Sequence, residues 1–203
     1  MQIVTPNTKH WAQIAAEVLT NGGIVLHPTD TAYGLAVDAT NEIALQKLIT
    51  LKQRGYKPMI LVVRNLSHAR KYVYLNKRAI FLAGKYFPGA LTLLVHKRKI
   101  IPNLVTAGLP NVGIRQPNHR VITKLSKLVE FPYTSTSANV SGNSTTYNIK
   151  DALDQLDTNQ IDLVIDAGEL PFRPTSTVVD TTSRKLAILR EGAIANQGIL
   201  DYK

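Results

Sequence analysis

Nine consecutive positions, Thr134, Ser135, Thr136, Ser137, Ala138, Asn139, Val140, Ser141 and Gly142, carry five hydroxyls, one amide and a closing glycine. They follow an apolar-aromatic approach at 131–133 that reads as the end of a buried strand. The small polar side chains therefore stand at a strand's carboxyl end, where α/β sheets place ligands. Hydroxyls, a primary amide and exposed backbone N–H groups are neutral donors suited to a phosphate or a carboxylate.

Other breaks in the apolar pattern carry similar groups. Lys52, Arg54 and Lys57 crowd six positions beside a helix end. An arginine can clamp two phosphate oxygens and a lysine acts as a point charge. Favourable interaction with the helix dipole, worth a few tenths to about 1 kcal/mol, accounts for the same residues equally well. The run His27, Pro28, Thr29, Asp30, Thr31, Ala32, Tyr33, Gly34 interrupts two strand-like segments, and taken alone it has the composition of a simple turn. Ser176 and Thr177 open a late strand, and Arg190 closes the last one.

Every one of these sites is neutral-polar or cationic, and no carboxylate pair stands near them. That favours holding and activating an anionic substrate over proton abstraction by an acid, which suits phosphoryl or nucleotidyl transfer with Mg²⁺. No P-loop, no GxGxxG and no GxSxG is present, and the five histidines show no metal-ligand spacing, so no protein-held metal is expected.

Hydrophobic periodicity supplies the elements that must position these residues. Trp11, Ile14, Ala15, Val18 and Leu19 make one helical face, stopped by Asn21, Gly22 and Gly23. Asn41 reads as an N-cap of a second helix with Ala44, Leu45, Leu48 and Ile49 inward. Further helices are expected over 76–86, 119–129 and 151–156. Strands are expected over 24–27, 33–37, 59–63, 91–96, 112–116, 131–134 and 161–166, with a closing pair at 176–180 and 186–190. The alternation argues for an α/β fold with a twisted, open, mixed sheet flanked by helices, its sites gathered in a concave basic cleft. The segment 141–148 has the composition of a loop over such a site.

The chain has 203 residues, a hydrophobic fraction of 44% and a formal charge of +10 from 24 Lys and Arg against 14 Asp and Glu. The expectation is one domain over 1–203 with anionic partners. No run approaches the roughly 18 apolar residues of a membrane span. The absence of cysteine excludes disulfides and thiolate chemistry, and suits a cytoplasmic location.

In their order along the chain these motifs resemble the YrdC-like family of L-threonylcarbamoyladenylate synthases. The run 27–35 is similar to the family's opening Pro-Thr-(Glu/Asp)-Thr-x-Tyr-Gly-Leu, and Lys52-x-Arg54 with Ser137-x-Asn139 is similar to its KxR…SxN signature. The runs 88–92, 113–117, 176–180 and 189–193 match in order, so the resemblance covers about 14–194. Gly55 departs from the proline common after the signature arginine.

The resemblance implies that L-threonine, bicarbonate and ATP give threonylcarbamoyl-AMP and pyrophosphate. A separate tRNA-modifying transferase complex would then act on adenosine 37 of tRNA, and direct tRNA binding is left open. It implies Lys52 and Arg54 as catalytic residues at the triphosphate. Thr29, Arg115 and Ser176 would contact L-threonine, and Asn111, Ser137, Asn139, Thr145 and Arg190 would contact ATP. Two other readings remain: a paralogue of the same fold with a different adenylylating activity, and a non-catalytic RNA-binding module. The second has little support from aromatic residues, which make up 6% of the chain.

Overall fold

Runs such as 24–26 and 163–165 are apolar at successive positions rather than alternating, which requires strands covered on both faces. The computed structural model, which describes residues 1–53, 55 and 57–200, has this arrangement. Its strands are β1 Gln2–Val4, β2 Val25–Pro28, β3 Tyr33–Ala36, β4 Ile60–Val62, β5 Val73–Tyr74, β6 Leu91–Lys97, β7 Asn111–Arg115, β8 Tyr133–Thr134, β9 Thr136–Ser137, β10 Leu163–Ile165, β11 Thr177–Asp180 and β12 Ala187–Arg190. Its helices are α1 Trp11–Thr20, α2 Glu42–Leu51, α3 Leu66–Ala69, α4 Lys77–Tyr86, α5 Asn103–Thr106, α6 Arg120–Leu125, α7 Ile149–Gln155 and α8 Gln197–Leu200. None of these helices is long and apolar enough to cross a membrane.

The strands form two mixed sheets instead of the one expected. The first has the order β1-β10-β2-β3-β9, and the second β12-β11-β6-β7-β4-β8, with β5 also paired to β6. Strand alternation divides the first sheet's side chains between two cores. Val25, Leu163 and Ile165 join Trp11, Ala15 and Leu19 of α1 and Val121, Ile122 and Leu125 of α6. Leu26 and Val164 face the other way, into a core shared with Leu61, Leu93 and Ile114 of the second sheet, Leu45 and Leu48 of α2, and Leu82 of α4.

The expected strand at 131–134 is shorter and does not end there. β8 pairs antiparallel with β4, and β9, after one intervening residue, pairs antiparallel with β3. Ser135 itself donates its N–H to Ile60 O at 3.0 Å. One extended segment thus passes from the second sheet to the first.

Other expectations need adjustment. The buried face of α1 is Trp11, Ala12, Ala15, Ala16 and Leu19. Ile14 and Val18 lie at its margin, because the small alanines let the helix settle closer on that side. α6 runs only from Arg120 to Leu125, with His119 capping the Val121 N–H. Asn41 caps α2 as expected, accepting from the N–H groups of Ile43 and Ala44 at 3.0 and 3.1 Å. Gly22, at φ +76°, makes the left-handed stop after α1. The short elements β1, β5, α3, α5 and α8 carry too few residues to show a period.

His27, fully buried in β2, has Nδ1 3.1 Å from Pro28 O. Burial pulls its pKa down from the ordinary 6.5 to about 4, with the Pro28 bond opposing and His119 reinforcing. The folded value lies below the unfolded one, so the contribution is complete above pH 6.5 and is lost as pH falls through that window to about 4. A gap of this size corresponds to about 3 kcal/mol. Urea unfolding at pH 7 and pH 4 should show that much more acid destabilisation in the native protein than in a His27→Gln variant. Equal losses in the two would contradict it.

Candidate active site

A cavity of about 290 Å³ opens between the two sheets, near the lower end of the range for small-molecule sites. The turn 29–34, the approach 58–60 to β4, the crossing segment 135–137, Thr145 and Thr175–Ser176 wall it, with Arg115 and Arg190 facing in. Among the described residues no carboxylate lines it.

Arg115 ends β7 and is 7% exposed. Its Nη2 lies 2.5 Å from Asp30 Oδ1, its Nη1 donates to Thr31 Oγ1 at 3.1 Å, and its Nε donates to Gly89 O at 3.2 Å. Burial lowers its pKa and Asp30 opposes that. The guanidinium stays charged, since arginine does not deprotonate in proteins.

Arg190, at the end of β12, donates Nε and Nη2 to Ser176 O at 3.1 and 2.9 Å, and Nη2 to Ser176 Oγ at 3.0 Å. Among the described residues no carboxylate pairs with it. Burial first, and then the positive field of Arg115, pull its pKa below the ordinary value. Asp30 offsets the field of Arg115, and among the described residues no ion pair offsets that of Arg190, so the Arg190 end is the more strongly anion-accepting part of the cavity. Ser176 is 2% exposed, and its hydroxyl also lies 2.8 Å from Thr92 Oγ1.

Lys52 departs from its expected place. It is 3% exposed and stands behind the wall, its Nζ donating to the backbone carbonyls of Ser137 and, at 2.7 Å, of Asn139. Its own carbonyl accepts from Ser141 N at 3.0 Å. The signature lysine thus grips the turn that carries Ser137 and Asn139. Arg54 lies outside the described residues. Asn139 Nδ2 donates to Asn143 O at 2.7 Å, and its Oδ1 is buried with no hydrogen-bond partner among the described residues.

Thr29 reaches the cavity, but its hydroxyl holds the turn. It donates to Ala32 O at 2.7 Å and accepts from the N–H groups of Thr31 and Ala32 at 3.1 Å. Ser137 and Thr145 line the cavity. Asn111 does not. It begins β7, the opposite end from Arg115 and roughly 13 Å away at strand rise, and its Nδ2 donates to Thr182 Oγ1 at 3.2 Å. Among the described residues the basic side chains that line the cavity are Arg115 and Arg190.

Sequence reasoning did not name Asp30, Thr31, Tyr33 or Ser135 as site residues. Tyr33 donates its hydroxyl to Gly168 O at 2.7 Å and accepts from Ala167 N at 3.0 Å. Burial pushes its pKa up to about 12, so it remains a neutral brace. The signal for Asp30 and Thr31 lay in the opening motif, where an acid between two threonines asks for a cationic partner.

The arrangement defines a class: an α/β protein with an anion-accepting cavity between two mixed sheets. Comparison with known proteins narrows it. The family profile named for Sua5, YciO and YrdC, described as telomere recombination, matches residues 17–192, and the chain belongs to this family. It is 36% identical to a Methanocaldococcus jannaschii protein over 88% of this chain and 84% of that one. It is 32% identical to the threonylcarbamoyl-AMP synthase of Pseudoalteromonas translucida over 85% of this chain and 95% of that one. The crystal structure of Pyrococcus abyssi Sua5 complexed with L-threonine superposes with a TM-score of 0.91 at 30% identity, and the match covers 98% of this chain but 59% of the Sua5 chain.

Gly192 keeps Ser176 and Arg190 together. A Cβ there would overlap Thr175 O and stand 2.6 Å from Ser176 C and Thr177 N, all of it backbone. A Gly192→Ala variant should lose about 3 kcal/mol or more in thermal unfolding. Gly84→Ala in α4, where the added methyl meets nothing within 4 Å, should be neutral or stabilising by up to about 1 kcal/mol. Similar melting of the two variants would remove this account of Gly192.

Proposed function

We propose that the chain is a threonylcarbamoyl-AMP synthase, making threonylcarbamoyl-AMP and pyrophosphate from L-threonine, bicarbonate and ATP for tRNA modification. The observation that carries the reading is the convergence of Arg115 and Arg190 on one hydroxyl-lined cavity without a lining carboxylate among the described residues. The names of the relatives support it, including the Sua5 bound to L-threonine.

In this reading Arg115 takes the threonine carboxylate. The amine adds to carbon dioxide derived from bicarbonate, forming the C–N bond of a carbamate and releasing a proton. A carbamate oxygen then attacks the α-phosphorus of ATP, and the bond to pyrophosphate breaks. Arg190 faces the nucleotide's phosphates, with Ser137 and Thr145, which line the same cavity, as further donors. Arg54 adds charge at the triphosphate. Lys52 acts by holding the backbone of the Ser137–Asn139 turn in register. Most of the acceleration comes from alignment and from charge placed in advance.

Among the described residues no cluster of three or more His, Asp or Glu is placed to ligate a metal. Mg²⁺ is proposed to enter on the phosphates of ATP, where it would offset charge on the polyphosphate. Transfer of the product to tRNA by a separate complex belongs to the same proposal.

Mass spectrometry of a reaction with ATP, bicarbonate and L-threonine should find the mixed anhydride, with pyrophosphate release that depends on both cosubstrates. Arg190→Met should lower kcat/KM for ATP about 100-fold while KM for threonine changes little. Absence of threonine-dependent pyrophosphate, together with salt-sensitive tRNA binding, would replace this reading with the RNA-binding one.

A further inference from the structure

The two cavity arginines differ in one respect. Arg115 is paired with a buried carboxylate, and Arg190 has no such pair among the described residues. Asp30 and Arg115 side chains are 6% and 9% exposed and lie 2.5 Å apart. The second Asp30 oxygen is also engaged, accepting from Asn118 N at 3.1 Å. Both Asp30 oxygens are thus held by neighbours, and Asp30 is not among the residues that line the cavity.

The donor count on Arg115 is informative. A guanidinium has five N–H groups. Asp30, Thr31 and Gly89 take one each, on Nη2, Nη1 and Nε. Five minus three leaves two, one on each terminal nitrogen, the number that the two oxygens of a carboxylate accept. The acceptors surrounding Arg115 also set its angle. The Thr31 hydroxyl is itself anchored 3.1 Å from Thr29 Oγ1, so the turn 29–32 and the guanidinium form one rigid unit.

We propose that Asp30 is a positioning and specificity-determining residue that reserves Arg115 for a singly charged carboxylate and leaves the polyphosphate to Arg190. Formal charges at the Arg115 end sum to zero, +1 and −1. At that end a carboxylate gains two directed hydrogen bonds to a held fork. A phosphate carrying about two negative charges meets Asp30 behind the guanidinium and gains less. At Arg190 no carboxylate among the described residues pairs with the guanidinium. The cavity thereby sorts two anionic substrates that would otherwise compete for the same cations, since a like charge held close costs affinity. This rests on the reading of the cavity as a site for an amino acid and a nucleotide.

The test is Asp30→Asn, which keeps an acceptor and removes the charge, beside the native enzyme and Asp30→Glu. In the native enzyme, inorganic phosphate and pyrophosphate should not compete with L-threonine. In Asp30→Asn, KM for threonine should rise about 10- to 100-fold with KM for ATP within about threefold, and both anions should become competitive against threonine. Asp30→Glu keeps the charge and moves it by one methylene, so KM for threonine should rise severalfold with no such competition. The split matters because general loosening of the fold would move both KM values together and create no new inhibitor.

Asp30→Asn with native KM for threonine, or without anion competition, overturns the proposal. If that variant does not fold, Asp30→Glu decides alone: native KM for threonine, or competition by phosphate, overturns it. A native enzyme inactive with threonine fails the parent reading instead, and is distinguished by that.

Discussion

One extended segment, 133–137, must satisfy its backbone in two sheets at once. Tyr133 and Thr134 pair with Val62 and Leu61, and Thr136 and Ser137 pair with Leu35 and Gly34. Ser135 closes the gap through Ile60 O, and Thr134 N donates to Val37 O at 2.9 Å. Buried N–H and C=O groups left unpaired would each be costly, so the path of this segment admits little freedom. Its side chains inherit that rigidity. Hydroxyls in such a position are aimed by the sheets and not by their own rotamers, which is what a site of prearranged donors needs.

The turn that follows is held by a charge. Lys52 sets its ammonium against the carbonyls of Ser137 and Asn139, and its own carbonyl receives Ser141 N–H. Burying an ammonium costs several kcal/mol, and directed hydrogen bonds to carbonyl dipoles offset part of that cost. The end of α2 is thereby tied to a turn 85 residues away in the chain. A similar constraint operates across the cavity, where Arg190 clasps Ser176 and the absent side chain of Gly192 lets the strands approach. Each wall is therefore fixed by polar contacts between separate elements, 85 residues apart for Lys52 and 14 for Arg190, laid over cores that strand alternation has already divided.

Much of this was legible from local pattern. Asn41 was identifiable as a cap because an asparagine before an apolar period satisfies orphan helix donors. The apolar runs behind β2, β4, β6, β7 and β10 were identifiable because full burial leaves no polar alternation. What failed did so for physical reasons. α1 rotates toward Ala12 and Ala16 because close packing favours small residues, a preference that hydrophobicity alone does not register. The strand at 131–134 extends as β9 because hydroxyl-rich composition hides a ladder whose partner lies in another sheet. Asn111 and Arg115 share one strand, yet four residues place them at its opposite ends.

The amino-acid order by itself determined the alternation of helices and strands, the neutral-polar and cationic character of the site, and membership of a family through ordered motifs. These properties are local, or depend on which residue types are present. Only the tertiary structure decided that there are two sheets, that Lys52 stands behind the wall, that Arg115 is paired to Asp30 and that Arg190 faces the cavity without an acid among the described residues. The Lys52 and Arg115 contacts join groups 85 residues apart in the chain, and a side chain's charge has no sign of its partner until the fold supplies one.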